Sequence, residues 1–224
     1  MSIFNDLVNI WKKNDLLSQA WDESHEMILL SNKIFIKAID GLRSGEKTKA
    51  LKELKKRDKE INSFHKNVRR KVVTHYAVSG NTLNIESGLV LINLVVDIER
   101  IGDYTKNILD LAIFSSRPLL SEETSENLEL IEAAVLSRFS STISVLENKD
   151  AEKAQTLLNS YRKDLGKVSD DIVHDIVSGS FEIKNNISPA SVALYARYLK
   201  RIGAHLKNIT SVITNPFEMI GYNT

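Results

Sequence analysis

The chain has 224 residues, a formal net charge of +1 at neutral pH and no cysteine. The near-zero charge gives no bulk electrostatic attraction to nucleic acid or to an anionic membrane. The absence of cysteine excludes disulfides, thiolate catalysis and cysteine metal sites. The longest apolar run lies within residues 88–96 and is far shorter than the roughly 20 residues of a membrane span. We therefore expect a soluble, cytoplasmic protein.

Helical periodicity extends over almost the whole chain, and three prolines (Pro118, Pro189 and Pro216) interrupt it. No segment shows the strict alternation of a β-strand. The pattern predicts six long helices, the first of which ends at Gly41. Residues 1–14 are predicted to add a short leading helix, and residues 216–224 a tail. The six predicted helices cover residues 16–41, 46–77, 82–115, 122–147, 150–178 and 189–213.

A nine-residue sequence occurs twice, and we call it the repeat phrase. Residues 100–108 read RIGDYTKNI and residues 201–209 read RIGAHLKNI, so six positions match. Each copy falls on the third helix of a predicted group of three. Long helices with short loops pack as antiparallel bundles. The sequence therefore predicts an all-α fold made of two tandem three-helix bundles, with repeats at 1–117 and 118–224.

One stripe of the third helix changes from apolar to acidic along its length. Four apolar residues that we expect in the core are followed by Glu99 and Asp103, which lie four residues apart and project side by side. The helix interior also contains Gly102, which costs about 1 kcal/mol relative to alanine, so we expect another backbone to approach closely there. The four apolar residues of the stripe are Ile85, Leu89, Ile92 and Val96.

The second helix offers partners for this acidic pair. Asp58 and His65 lie on its apolar face, defined by Leu51, Leu54, Ile61, Val68 and Val72, and Asn62 lies alongside. Oxygen ligands with an optional imidazole suit iron, manganese, zinc or magnesium. The alternative is that Glu99 and Asp103 form ion pairs with Lys or Arg and that His65 is a packing residue.

In the second copy of the stripe, basic residues replace the acidic pair. Arg197, Lys200 and Ala204 stand where the first copy has Val96, Glu99 and Asp103. The fifth predicted helix carries Asp164, Asp171 and Asp175, which we expect to neutralise Lys200 and Arg197. Two other interpretations remain open: a metal site at Asp171, His174 and Asp175, and an anion site at Arg197, Lys200 and Lys207.

Two short pairs leave an enzymatic alternative open. Asp22-x-x-His25 and Asp171-x-x-His174 are similar to the Glu-x-x-His pairs of carboxylate-bridged di-metal bundles. Both acids here are Asp, and the remaining ligands of such a centre are not evident. No glycine-rich phosphate loop or hydrolase signature is present in the sequence.

Residues 97–108, which read DIERIGDYTKNI, closely resemble the signature of PhoU proteins. The typical phrase of that family is an acidic residue followed by Glu-Arg-Ile-Gly-Asp-His-Ala-x-Asn-Ile. Residues 57–62 are similar to the family's second-helix motif, and the resemblance extends over both predicted repeats. It departs from the family at Tyr104, in the tail and at Lys200-x-x-x-Ala204, which indicates a divergent branch.

The resemblance implies a non-catalytic regulator of phosphate homeostasis. PhoU proteins modulate phosphate transport and signalling through contacts with phosphate transporters and a sensor kinase, often as dimers. We therefore expect peripheral membrane association through the partner, no binding of nucleic acid, and a homodimer. A sodium- or proton-coupled phosphate carrier is one possible partner. Some family members bind iron or zinc clusters through Glu/Asp-x-x-x-Asp motifs, which implies metal ligands at Asp58, Asn62, Glu99 and Asp103, and in the first repeat only. A di-metal enzyme and a metal-free scaffold or adaptor remain the alternatives.

Overall fold

The computed structural model describes residues 15–45, 48–79, 85–114, 126–181 and 188–222. The predicted leading helix over residues 1–14 lies outside the described residues, as does Pro118 at the predicted boundary between the repeats. The helices are α1 (Leu16–Ser44), α2 (Thr48–Lys56), α3 (Asp58–Ser79), α4 (Ile85–Phe114), α5 (Glu126–Asn148), α6 (Ala151–Tyr161), α7 (Lys167–Ser178) and α8 (Pro189–Ser211). A π-helical turn, Arg162–Gly166, joins α6 to α7, and a 3₁₀ turn, Phe217–Met219, follows α8. The described residues form six helical rods and contain no strand, which confirms the all-α prediction.

The end of α1 differs from the predicted end at Gly41. Gly41 is buried inside the helix, and the helix continues to Ser44. Gly45 follows in the left-handed conformation with φ of 64°, which a residue without a Cβ adopts readily and which ends a helix. At the other end of α1, the Asp15 carboxylate accepts hydrogen bonds from two backbone amides of the first turn.

The second and fifth predicted helices are each interrupted once. The second is broken at Arg57, between α2 and α3, where 3.1 Å and 2.9 Å backbone hydrogen bonds link residues three apart (Arg57 N to Leu54 O, and Glu60 N to Arg57 O). The fifth contains the π-helical turn Arg162–Gly166. No proline marks either break, so the helical periodicity of the sequence predicted two continuous helices.

The rods pack in two groups of three that also contact each other. Within the first group, α1, α3 and α4 pack together, with α2 against α4. Within the second, α8 packs on α5, α6 and α7. Between the groups, α4 packs on α8 and α1 on α5. The two helices that carry the repeat phrase therefore lie side by side.

The face that α4 turns towards the core is not the predicted one. Ile85, Leu89 and Val96 are 46%, 39% and 37% exposed, and Ile92 is partly buried. The core face is formed by Val90, Leu91, Leu94, Val95, Ile98, Ile101, Ile108 and Leu109. The prediction was wrong because this half of α4 is apolar on more than one face. In α2 and α3 the apolar stripe is as predicted: Leu51, Ile61, Val68 and Val72 are buried, and Leu54 is partly buried.

None of the described helices combines the length and the apolar character that crossing a membrane requires.

Candidate functional site

The predicted site lies where α3 begins and crosses α4 beside Gly102. A Cβ placed on Gly102 would lie 3.2 Å from Ile61 Cδ1 and 3.5 Å from Asp58 Oδ1. The glycine therefore admits two side chains of α3, whereas the sequence had suggested close approach of another backbone. This contact brings the carboxylate of Asp58 next to the acidic stretch of α4.

A lysine ammonium occupies the centre of this cluster. Lys106 Nζ lies 3.0 Å from Asp58 Oδ2 and 2.8 Å from Asp103 Oδ1. The amide of Asn62 donates a 2.8 Å hydrogen bond to the same oxygen of Asp58, and Arg100 Nη1 lies 3.1 Å from Asp103 Oδ2. Burial favours the neutral form of Lys106, but its hydrogen bonds to Asp103 and Asp58 oppose this, and the pKa of Lys106 is raised.

Glu99 lies at the edge of the network. Its nearest basic group is Arg100, whose Nε is 3.7 Å from Glu99 Oε2. Burial raises the pKa of Glu99, and the negative charges of Asp103 and Asp58 add to the effect, while Arg100 and Lys106 oppose it.

His65, the optional imidazole of the predicted site, is a packing residue in this arrangement. Burial lowers its pKa, and the positive charges of Arg69, Arg100 and Lys66 lower it further. Its Nε2 is buried without a hydrogen-bond partner. No hydrogen bond or ion pair in the described residues links His65 to the predicted ligands.

The four predicted metal ligands are thus brought together, but Lys106 and Arg100 already pair with the carboxylates of Asp58 and Asp103. Within the described ranges, no three or more His, Cys, Asp or Glu side chains are arranged to hold a metal ion. Asp58 Oδ1 is buried without a hydrogen bond, and an unpartnered carboxylate oxygen of this kind would favour a metal. As arranged, the residues fit an internal cation, the Lys106 ammonium. The metal centre at Asp58, Asn62, Glu99 and Asp103 stays a prediction.

The corresponding position in the second repeat phrase has a different chemistry. A Cβ on Gly203 would lie 2.7 Å from Leu165 Cδ1 and 3.5 Å from the ring of Tyr161. Tyr161 and Leu165 therefore stand where the first repeat has Asp58 and Ile61. The π-helical turn between them supplies one extra residue, because 58 to 61 spans three residues and 161 to 165 spans four.

Ion pairs neutralise Arg197 and Lys200 of the second repeat, as predicted, but the carboxylate that they share is Asp170 and not one of the predicted aspartates. Arg197 Nη1 and Lys200 Nζ lie 3.2 Å and 2.6 Å from Asp170 Oδ1. The predicted acids take other positions, since Asp164 lies 3.9 Å from Arg138 and Asp175 lies 3.7 Å from the exposed His174. Asp170 thus pairs with two of the three cations of the anion site considered above, which weakens that interpretation.

The two copies of the repeat phrase meet at their equivalent positions. Tyr104 and His205 are 101 residues apart, and their rings stack with centroids 5.8 Å apart. Asp97 accepts a 3.1 Å hydrogen bond from Asn208 and lies 2.7 Å from His205 Nδ1. Arg201 donates a 3.0 Å hydrogen bond to the Tyr104 hydroxyl. The sequence analysis did not predict this interface, although the repeat phrase showed that α4 and α8 are equivalent helices.

A second buried network, also missed, joins α1, α5 and α8. Glu132 is only 2% exposed, accepts a 2.5 Å hydrogen bond from the Tyr195 hydroxyl, and pairs with Arg43. Because burial raises the pKa of Tyr195 and the negative charge of Glu132 raises it further, the phenol stays protonated and donates. Glu132 is one of four glutamates in α5 and belongs to no motif, so only the packing identifies it.

The Asp22-x-x-His25 pair does not form a di-metal centre within the described residues. Asp22 and His25 lie with Glu147 along a shallow groove between α1 and α5, where His25 Nε2 is 3.2 Å from Glu147 Oε1.

Comparison with known proteins agrees with this architecture. The family model described as PhoU domain matches residues 25–112, a range that includes α3, the repeat phrase of α4 and all four predicted ligands. The fold matches the crystal structure of PhoU from Pseudomonas aeruginosa with a TM-score of 0.75 at 20% identity, covering 88% of this chain and 95% of that one. Residues 25–112 thus match the PhoU domain, and the chain has the PhoU fold.

A second PhoU structure shows the same likeness. The phosphate transport system regulatory protein PhoU from Streptococcus pneumoniae matches with a TM-score of 0.73 at 15% identity, covering 88% of this chain and 92% of that one. At these identities the two structures establish the PhoU fold for both repeats. Comparison with curated proteins gives no match.

Proposed function

We propose that this chain regulates phosphate homeostasis, and that it acts through protein contacts with a phosphate transporter, a phosphate sensor kinase or both. The observation that carries the proposal is the PhoU domain at residues 25–112, which includes the Glu99 to Asp103 phrase on α4. The Streptococcus pneumoniae protein of the same fold is described as a phosphate transport system regulatory protein.

The chemistry of the described residues supports regulation over catalysis. The carboxylates of Asp58 and Asp103 between α3 and α4 are held by Lys106 and Arg100, so in the described structure they link two helices. The α4–α8 interface is likewise closed by hydrogen bonds and stacked rings. Both features suit a rigid helical body that presents surfaces to a partner.

Deletion of the gene in the native host tests the proposal. Uptake of radiolabelled phosphate and transcription of a phosphate-responsive reporter are measured in phosphate-replete and phosphate-starved cells. We expect both to change in the deletion strain and to return when the wild-type gene is restored on a plasmid. Unchanged uptake together with unchanged transcription would refute the proposal.

Partner choice is tested separately, by recovering the tagged full chain after cross-linking in living cells. The proposed function expects a phosphate transporter subunit or a sensor kinase among the recovered proteins. A homodimer, also predicted, is measured by sedimentation of the purified chain over a range of concentrations.

A further inference from the structure

The charge of the chain is distributed unevenly along its length. Residues 48–79, which form α2 and α3, contain ten Lys and Arg residues against three Asp and Glu residues, a formal charge of +7. The whole chain has a formal charge of +1, so the excess of these two helices is concealed in the total. Burial lowers the pKa of His65 in α3, and nearby positive charges, that of Arg69 first among them, lower it further. A local excess of this size attracts anions.

Six of these cations lie in one row on the outside of α2 and α3, and we call it the basic row. Its positions follow one another at intervals of three or four residues, which is the spacing of a single helix face. Every position is exposed, and the row extends over about 31 Å of helix. The basic row consists of Lys49, Lys52, Lys56, Lys59, Ser63, Lys66 and Arg70.

The cations of the basic row have few internal partners. Among the described residues, only Lys56 of the row forms an ion pair, with Glu53 at 2.6 Å on the same exposed surface. The acids of α2 and α3 do not compensate for the others, because each of them already faces a cation. These pairs are Glu53 with Lys56, Asp58 with Lys106 and Glu60 with Arg57.

The equivalent rod of the second repeat carries no such excess. Residues 151–178, which form α6, the π-helical turn and α7, contain four Lys and Arg residues against five Asp and Glu residues, a formal charge of −1. Both rods are built by the same duplicated fold. The positive charge is therefore not needed to form such a rod, and it is a property of the surface of the first repeat.

The chemistry of the basic row fits a layer of lipid headgroups. Between Lys49 and Arg70 the row contains no apolar side chain, so it lacks the apolar centre of a stable protein interface. No aromatic side chain of α2 or α3 is exposed, so the described surface offers no platform on which nucleic acid bases stack. Five of the six cations are lysines, whose compact charges on flexible stems pair with phosphate groups in many arrangements.

The far end of the row is apolar. Val73 continues the spacing of the row by one further step and is 63% exposed, and Val78 in the last turn of α3 is 79% exposed. Apolar side chains beside a basic helix face enter the boundary between the headgroups and the acyl chains of a bilayer. A straight row that ends in two exposed valines therefore matches a planar anionic membrane surface.

We propose that the basic row docks this protein on an anionic phospholipid bilayer, with α2 and α3 lying along the membrane surface. The lysine ammonium groups pair with lipid phosphates, as clusters of Lys and Arg on helices do. This inference goes beyond the proposed regulatory function and does not depend on it, since regulation through protein contacts requires no lipid.

Vesicle sedimentation with the purified full chain tests the proposal. One set of vesicles contains phosphatidylglycerol in phosphatidylcholine, and the other contains phosphatidylcholine alone. At about 0.1 M salt, where charges act over about 10 Å, we expect binding to the phosphatidylglycerol vesicles and none to the neutral ones. Raising the salt concentration to about 0.5 M should release the protein, because it screens the attraction.

Two triple variants locate the binding surface. The row variant removes three exposed cations that form no ion pair in the described residues, and the control variant removes three exposed lysines from the equivalent rod of the second repeat. Circular dichroism verifies that both keep their helical content. The row variant carries Lys52→Gln, Lys59→Gln and Lys66→Gln. The control variant carries Lys153→Gln, Lys163→Gln and Lys167→Gln.

The row variant should bind phosphatidylglycerol vesicles about a hundredfold more weakly than the unmodified chain, because each lysine near an anionic surface contributes about fivefold. The control variant should stay within about threefold, since lysines far from the membrane are screened.

Three results would overturn the proposal. The first is the absence of binding to phosphatidylglycerol vesicles at low salt. The second is equal weakening in the two variants, which would assign the binding to total charge. The third is binding of a short DNA duplex, lost in the row variant, without any binding to vesicles, which would assign the basic row to nucleic acid. Each of these results leaves the regulatory function untouched, because gene deletion tests that separately.

Discussion

Lys106 Nζ lies 3.0 Å from Asp58 Oδ2 and thereby connects α4 to the first turn of α3. Lys207 holds the same place in the second copy of the phrase but has a different environment. Its ammonium donates a 3.0 Å hydrogen bond to the Gly221 carbonyl and lies over the ring of Tyr161. Burial lowers the pKa of Lys207, since no described carboxylate compensates for it as Asp58 does for Lys106.

Replacing Lys106 by Met tests this connection. The change leaves two partly buried carboxylates, Asp58 and Asp103, without their shared cation, and we expect the free energy of unfolding to fall by about 1–3 kcal/mol. Urea denaturation followed by circular dichroism measures it. Lys207→Met is the matched control, with a smaller expected loss, because it removes one hydrogen bond to a carbonyl and a contact with the Tyr161 ring but leaves no buried carboxylate without its cation. Equal losses for the two variants would contradict the assigned role of Lys106.

The glycines of the repeat phrase should respond differently to alanine. A Cβ at Gly203 would lie 2.7 Å from the fully buried Leu165 side chain, so Gly203→Ala should lower the free energy of unfolding by about 1–3 kcal/mol through overpacking. At Gly102 the nearest atom is 3.2 Å away, and the gain in helix propensity of about 1 kcal/mol offsets much of the strain. Thermal denaturation of both variants gives the comparison, and a larger loss at Gly102 would refute it.

The buried network at Glu132 predicts a large effect from a small change. Tyr195→Phe removes the hydroxyl that donates to the Glu132 carboxylate. A hydrogen bond to a charged group contributes about 1.5–3 kcal/mol, and we expect a loss of that size in urea denaturation. Tyr198→Phe is the control, because the Tyr198 ring packs at a tilt against Tyr104 and no hydrogen bond of its hydroxyl is seen in the described residues. Similar losses for both would show that the hydroxyl of Tyr195 contributes little.

The raised pKa of Glu99 predicts a pH dependence of stability. Above the ordinary value of 4.5 and below the raised value, the folded state holds more protons than the unfolded state, so stability falls as pH rises through this window. Glu99→Gln should remove that decline, which denaturation at a series of pH values measures.

His65 provides a control of opposite sign. The pKa of His65 is lowered from 6.5 in the folded state, so at lower pH the unfolded state binds a proton at this residue more readily than the folded state does. The free energy of unfolding therefore falls as pH decreases below 6.5. His65→Gln should make that fall smaller. If Glu99→Gln leaves the pH profile unchanged, Glu99 is not the group responsible.

The metal prediction is decided by elemental analysis of the chain purified without an affinity tag. Less than stoichiometric iron, zinc and manganese, even after incubation with each metal, would leave Lys106 as the cation between Asp58 and Asp103 and contradict the predicted centre. About one or more metal ions per chain, lost on Glu99→Ala with the helical spectrum intact, would instead establish the predicted centre.

Glu99 and Lys106 illustrate which parts of the site could be predicted from the sequence and which could not. The acidic pair on α4 and its proximity to Asp58 followed from helical spacing, since residues three and four apart share a face. The cation that joins them depends on the register between α3 and α4, which Gly102 and Ile61 set by direct contact. The sequence pattern of neither helix specifies that register. The exposed stripe shows the same limit, since Leu89 and Leu91 are equally apolar and only packing distinguishes them.

The sequence by itself determined the six rods, the start of the last helix at Pro189 and the duplication of the phrase, because these can be read from local sequence. It also determined that the two copies differ, since Asp103 and Ala204 stand at equivalent positions. Only the tertiary structure decided that Asp97 meets His205, that Glu132 joins Arg43 to Tyr195, and that Asp170 neutralises the second seam. These contacts join helices distant in sequence, and their energy depends on burial and distance, which exist only once the helices are packed.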